Sequence, residues 1–180
     1  MIEWRFSLRS QVDKQNSMEK TTTSPFLSVI VQEKDFDPFT EDIALQRQMQ
    51  NSGANSGAMV AFVGRVRGND QQTPLKTLTL EHFPKVTENE ILRIIKEASQ
   101  RWSLEAVRVI HRIGPLTPGE NIVLTLTYAR HRSDAYDANR FIMDYLKTQA
   151  PFWKKETFIN GESHWVEARE SDLRALTKWA

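Results

Sequence analysis

An α+β fold is predicted for this 180-residue chain by three observations. Strand-like and helix-like segments mix without a regular βα alternation. Two strand-like runs in succession, Ala106 to Ile113 and Asn121 to Ala129, separate the two best-signalled helices. Near the C-terminus, two short runs flank Asn160-Gly161-Glu162, a hairpin pattern. The expected architecture is one domain with a mixed, largely antiparallel sheet, packed helices and a C-terminal hairpin. The length suits a single core.

Residues 1–25 are polar, lack the apolar middle of a secretory signal and are expected to be a disordered extension. The folded domain is expected over 26–180. Phe26 to Glu33 is the first strand, and Asp37-Pro38 opens a helix to about Met49. Asn51 to Gly57 has loop composition. Ala58 to Arg67 reads as a strand ending in a basic turn through Asp70, and Leu75 to His82 alternates as a strand. Thr87-Glu88-Asn89-Glu90 has the form of a capping box. Ile91, Ile94, Ile95, Ala98 and Trp102 follow it at helical spacing. After the strand Ala106 to Ile113, Gly114 to Gly119 is expected to turn the chain into Asn121 to Ala129, whose Ile122, Leu124, Leu126 and Tyr128 share a face. Ser133 is the expected cap of a helix to about Gln149, with Ala138, Phe141, Ile142, Tyr145 and Gln149 as its core stripe. Pro151 stops that helix, because the residue before proline avoids helical geometry. Trp153 to Ile159, His164 to Ala168 and a helix over Ser171 to Trp179 complete the chain.

The charge balance, 24 basic against 23 acidic residues, argues against a dedicated nucleic-acid binder. No apolar run approaches the roughly 18 residues of a membrane span. Zero cysteines exclude disulfides, thiolate nucleophiles and cysteine zinc sites, and fit a cytoplasmic protein. His82, His111 and His164 are scattered without metal-ligand spacing, so no metal is expected. His111 is read as a strand histidine.

The chemistry-bearing stretch is Phe141 to Glu156, where lysines stand among aromatic rings and Pro151 divides Lys147 from Lys154 and Lys155. Strand alternation sends Lys154 and Lys155 to opposite faces, so at most one joins a site. Lys147 lies opposite the core stripe of its helix, with Tyr136, Arg140 and Met143 as helical neighbours. It either faces solvent or lines a cleft with them, where neighbouring cations and apolar surface would lower its pKa. Arg130-His131-Arg132-Ser133 precedes a helix, a place that favours an anion, and is otherwise a solvated basic turn. Arg65 and Arg67 share a strand face and either bind an anion or rim the sheet. Glu167, Glu170 and Asp172 are read as surface charges, potential partners for nearby arginines.

Seven blocks occur in one order: Phe62 to Arg67, Leu78 to His82, Val109 to Gly114, His131 to Ser133, Phe141 to Lys147, Ala150 to Lys154 and Trp165 to Glu170. This ordered set closely resembles the large, catalytic subunit of molybdopterin synthase, the MoaE family, over roughly 26–179. The resemblance implies a sulfurtransferase. In that family a small ubiquitin-like carrier brings sulfur as a thiocarboxylate on its C-terminal Gly-Gly. Two sulfurs pass to cyclic pyranopterin monophosphate, giving the dithiolene of molybdopterin in molybdenum cofactor biosynthesis. Large subunits pair as a homodimer with a carrier at each far end, a heterotetramer, and no cofactor is implied.

By the same resemblance Lys147 and Lys154 are the catalytic lysines. Arg67, His131 and Arg132 match anion-binding positions, with Arg65 standing where lysine is common. Val66, Lys155 and Glu156 adjoin the pocket. The competing reading is a non-catalytic anion-binding scaffold. A single-stranded nucleic-acid binder stacking bases on Phe152 and Trp153 is disfavoured by the neutral charge.

Overall fold

The strand-forming residues sort into two four-stranded sheets. The structure, a computed structural model, describes residues 24–50, 52–68, 73–167 and 170–179. Most of the expected N-terminal extension, the Asn69-Asp70 end of the basic turn, Asn51 and Ala168 therefore lie outside the described residues. The first sheet comprises β1 (Phe26–Gln32), β2 (Ala58–Arg65), β4 (Leu104–Arg112) and β6 (Asn121–Ala129), in the order β1-β4-β6-β2. Its β1–β4 pair is parallel and the others are antiparallel. The second comprises β3 (Leu75–His82), β5 (Gly114–Leu116), β7 (Phe152–Phe158) and β8 (Ser163–Val166), in the order β5-β3-β7-β8, all antiparallel. The helices are α1 (Pro38–Gln50), α2 (Val86–Arg101), α3 (Arg132–Thr148) and α4 (Glu170–Leu176), with a 3-10 turn over Thr177–Trp179. The α+β class and the C-terminal hairpin are as expected.

The first sheet is covered on both faces, which is why β4 and β6 are buried at nearly every position. Ala106 and Ile110 of β4 and Leu124, Leu126 and Tyr128 of β6 pack toward Leu45 and Met49 of α1. Val107, Val109 and Val123 pack instead with Ile91, Ile94 and Ile95 of α2 and Phe141 and Ile142 of α3. Ile94 and Phe141 are fully buried, so truncating either to alanine would cost about 2–5 kcal/mol in lost burial and cavity formation. Two buried polar residues of this layer, Asn139 and Thr127, are satisfied, whereas Arg108 of β4 keeps its Nε buried without a hydrogen-bond partner. Asn139 donates to the carbonyls of Val60 and Thr125 at 3.2 Å, and the Thr127 hydroxyl donates to the Ala135 carbonyl at 2.9 Å.

Several local expectations are corrected. Thr87 does not cap α2: the N-cap is Lys85, at φ 69°, without a side-chain cap bond. Thr87 sits one residue inside the helix, so its hydroxyl is released for a long-range contact. Ser133 does not cap α3 either, since helical geometry starts at Arg132 and the N-cap is His131. The segment Gly114 to Gly119 is not only a turn, because Gly114–Leu116 pairs with β3. Strand β2 stops at Arg65, where its register against β6 shifts, so Arg67 lies beyond the strand and the shared-face argument for Arg65 and Arg67 fails. Gln149 is exposed and accepts a bond from Arg93 at 2.6 Å rather than joining the core.

Candidate functional site

Helix α3 carries Lys147 in its last turn and is followed across Pro151 by β7, which carries Lys154. The Lys147 amine is exposed and lies 3.6 Å from Asp172 Oδ1 on α4. Asp172 is thus the partner of a lysine and not of an arginine, and its half-buried position holds α4 against the end of α3. Of the helical neighbours expected beside Lys147, Tyr136 and Arg140 are exposed, but Met143 is buried in the core and lines no cleft there. Helix geometry explains the split: α3 presents a wide apolar face, and Met143 falls on its margin.

Along β7, Lys154 is in register with Leu80 of β3 and Val166 of β8, and Glu156 with Leu78 and His164. Paired residues of an antiparallel sheet share a face, so Phe152, Lys154 and Glu156 look one way. Lys155 looks the other way, 5.8 Å from the Trp165 ring centroid. The expected division of the two lysines is therefore what the strand shows. Glu156 Oε2 stands 3.3 Å from His164 Nε2.

The start of β7 is pinned from beneath. The Thr87 hydroxyl accepts from the Phe83 N–H at 3.1 Å and donates to the Pro151 carbonyl at 3.2 Å. The His111 ring stacks on Phe152, with centroids 3.7 Å apart and planes 15° apart. His111 Nδ1 lies 2.8 Å from the Arg112 carbonyl; a carbonyl only accepts, so Nδ1 carries the proton and the ring is held as one tautomer. Burial, above all, and then the positive charges of Lys154 and His82 push the His111 pKa down to about 3, against the pull of the Arg112 carbonyl. His82 in turn faces Glu88, its Nε2 3.7 Å from Oε1.

The anion-binding candidates are held by separate devices. Arg65 is exposed, and its Nε donates to Asn121 Oδ1 at 3.1 Å. The Asn121 amide donates to Asp35 Oδ1 at 3.0 Å, and Arg112 donates to Glu120 Oε1 at 3.0 Å. Glu120 is held well below the usual carboxylate range, at about 2, by the Thr117 backbone N–H, then the Thr117 hydroxyl, then Arg112. Val66 is buried with Leu78, Leu80 and Leu116, so it is a packing residue that fixes the strand exit, while Arg67 beyond it is exposed.

His131 and Arg132 are exposed at the start of α3. Gly57 makes that corner possible: a Cβ there would lie 2.6 Å from the Arg130 carbonyl oxygen. At 1.5 Å rise per residue, Arg132 and His131 stand about 22–24 Å along the α3 axis from Lys147. One copy of the chain therefore does not bring these cations to the end of α3 that carries Lys147.

Asp172, Thr87, His111 and Asn121 were not among the sequence-derived site residues. For His111 a signal existed: it continues the inward positions Val107 and Val109 of β4, where a polar side chain needs a reason. Asp172, Thr87 and Asn121 act through contacts distant in sequence, with no local pattern to announce them. Among the described residues no group of three His, Asp or Glu could hold a metal ion, and no helix is long and apolar enough to cross a membrane.

Fold and site together define an α+β protein with Lys147 at the end of a helix, Lys154 on the strand that follows it, and further cations at that helix's far end. Residues 36–149 match the family described as MoaE protein. The molybdopterin synthase catalytic subunit of Yersinia pestis is 51% identical over 123 residues, covering 68% of this chain and 81% of the relative. That of Mesorhizobium japonicum is 47% identical over 153 residues, covering 84% and 92%. Among solved structures, a molybdopterin biosynthesis MoaE protein from Burkholderia ambifaria matches with a TM-score of 0.71 at 41% identity, over 86% of this chain and 98% of that one. The chain belongs to the MoaE family.

Proposed function

We propose that this chain is the catalytic subunit of a molybdopterin synthase, a sulfurtransferase that converts cyclic pyranopterin monophosphate to molybdopterin. The sulfur donor is the C-terminal thiocarboxylate of a small ubiquitin-like carrier, with two sulfurs transferred in all. Family membership and relatives bearing that name at about half identity support the reading. The chain has no cysteine, so the sulfur must arrive from outside.

The observation that carries the reading is the hand-over from Lys147 at the end of α3 to Lys154 on the inner face of β7. An extended anionic tail laid across that corner meets two ammonium groups in succession. At each transfer the thiocarboxylate sulfur bonds to a pterin carbon, water takes its place at the acyl carbon as the acyl C–S bond breaks, and the tail leaves as a carboxylate. Lys147 moves the protons of that exchange, or its amine attacks the acyl carbon first and water then cleaves the amide. Lys154 orients the thiocarboxylate or the pterin, with Lys155 and Glu156 in a lesser binding role. Arg65, Arg67, His131 and Arg132 hold the substrate phosphate, and Val66 fixes the exit of β2 beside them.

The length of α3 supports a composite site. In the proposed homodimer, a second copy brings its own His131 and Arg132 toward these lysines, and two carriers complete a heterotetramer. The catalytic domain is taken as 26–180, and the protein works in the cytoplasm.

The test mixes the purified chain with thiocarboxylated carrier and cyclic pyranopterin monophosphate and quantifies dithiolene product. Product from the native chain and almost none from Lys147→Ala is the expected result. No product from either, with the carrier proved competent on a known synthase, would leave a non-catalytic anion-binding module.

A further inference from the structure

The imidazole of His111 is buried on the central strand β4, while Phe152 begins β7 in the other sheet. Their rings form one contact between the two sheets, at the start of β7. Phe152 and Lys154 occupy the same face of β7, and Phe152 is in register with His82. The Lys154 ammonium is close enough for its charge to act on His111. A flat, uncharged ring fits this place: an aliphatic side chain would not stack, and a second cation would repel Lys154.

We infer that His111 is a positioning residue for the sulfur-transfer reaction, whose stacked, uncharged ring fixes the start of β7 and so sets where the Lys154 amine stands. The inference rests on the reading of Lys154 as a site lysine. His111 itself touches no substrate in this scheme and moves no proton. The groups facing it are Phe152, the Arg112 carbonyl, Lys154 and His82, with Glu88 behind His82. Phe152 holds the ring flat, the Arg112 carbonyl fixes its tautomer, Lys154 and His82 disfavour its protonation, and Glu88 is directed at His82 rather than at His111.

The experiment measures the reactivity of individual lysines in the intact protein by trace acetylation and mass spectrometry, with Lys147 as internal reference, alongside steady-state turnover. In His111→Ala, Lys154 loses its support and gains access to water, and its labelling is expected to rise about threefold relative to Lys147. Turnover should fall about tenfold or more at saturating substrate, since misplacement of a reacting group by an ångström is worth that much. His111→Phe keeps a ring against Phe152, giving up the Nδ1 donor, and should restore both readouts most of the way. Phe152→Leu removes the stack from the other side and should repeat the Lys154-selective change, which keeps the test decisive should His111→Ala fail to fold.

Unchanged relative labelling of Lys154 in the folded variants would overturn the inference. So would a rise shared equally by Lys147, the mark of general loosening. A native chain that makes no dithiolene would instead defeat the proposed function, while the labelling data still decide whether His111 positions Lys154.

Discussion

The hydroxyl of Thr87, in the first turn of α2, donates to the carbonyl of Pro151, at the bend between Lys147 and Lys154, over 3.2 Å. The same hydroxyl receives the N–H of Phe83. One side chain thus ties the end of the β3 strand region, the start of α2 and the start of β7 together. Proline has no N–H of its own to offer a neighbour, so its carbonyl is the group by which this corner can be held.

Thr87→Val keeps the shape and removes the hydroxyl. It leaves a buried donor and acceptor without their partner, at a cost of about 1–3 kcal/mol in stability. Denaturant unfolding should show a lower midpoint at an unchanged slope. Turnover of the remaining folded protein should fall as well, because the Pro151 corner is no longer fixed. A stable and fully active Thr87→Val would mean that α3 and Phe152 alone define the corner.

The Lys147–Asp172 pair gives a second prediction. The pair is partly exposed, so its loss should change stability by no more than about 1 kcal/mol. Asp172→Asn should therefore melt close to the native protein. Lys147→Arg keeps the charge and can keep the pair, but arginine neither gives up a proton nor attacks an acyl carbon. Melting curves near native together with almost complete loss of dithiolene formation are expected for Lys147→Arg. Retained turnover would assign Lys147 a purely electrostatic task.

Much of this architecture was legible in the chain. Strand periodicities place β3 and β6 as the structure has them, the C-terminal hairpin is found with each strand starting one residue earlier than expected, and Pro151 marks the end of α3. The caps were misread for a physical reason. Thr87 and Ser133 are capping residue types at plausible positions, but each helix begins a residue or more earlier, where Lys85 and His131 take the non-helical geometry. Local patterns rank candidates for a cap, and long-range contacts such as Thr87 to Pro151 choose among them. The same limit hid the site's supports. Lys154 could be placed on a strand face by alternation, whereas its neighbourhood with His111 requires two sheets to meet.

The 17-residue α3 separates His131 and Arg132 from Lys147 and yields a third prediction about assembly. If a second copy supplies the missing cations, His131→Ala and Lys147→Ala should each be nearly inactive as homodimers. Mixed dimers, formed by refolding the two variants together, would contain one site with both residues intact. About half of the dimers in an equimolar random mixture would be mixed, each with one working site, so recovery to roughly a quarter of native activity is expected. No recovery, with mixed dimers confirmed by mass, would place both residues in the same copy's site or outside the site altogether.

Acid stability tests the buried imidazole directly. His111 is held near pKa 3 in the folded protein against an ordinary value of 6.5, first by burial and then by the charges of Lys154 and His82. Between these values the unfolded chain binds a proton that the folded one refuses, so stability falls as pH falls. The loss begins near 6.5 and amounts to about 2 kcal/mol by pH 5, at about 1.4 kcal/mol per unit. Glu120 adds to it only lower down. Its folded value of about 2 against an ordinary 4.5 supplies stability that is present above 4.5 and lost below it. The two groups therefore separate on the pH axis. In His111→Phe the slope of unfolding free energy between pH 6.5 and 4.5 should flatten by up to one proton's worth, while the decline below 4.5 persists. An unchanged slope in that upper window would mean that His111 takes up its proton without unfolding, and that the Phe152 stack tolerates a charged ring.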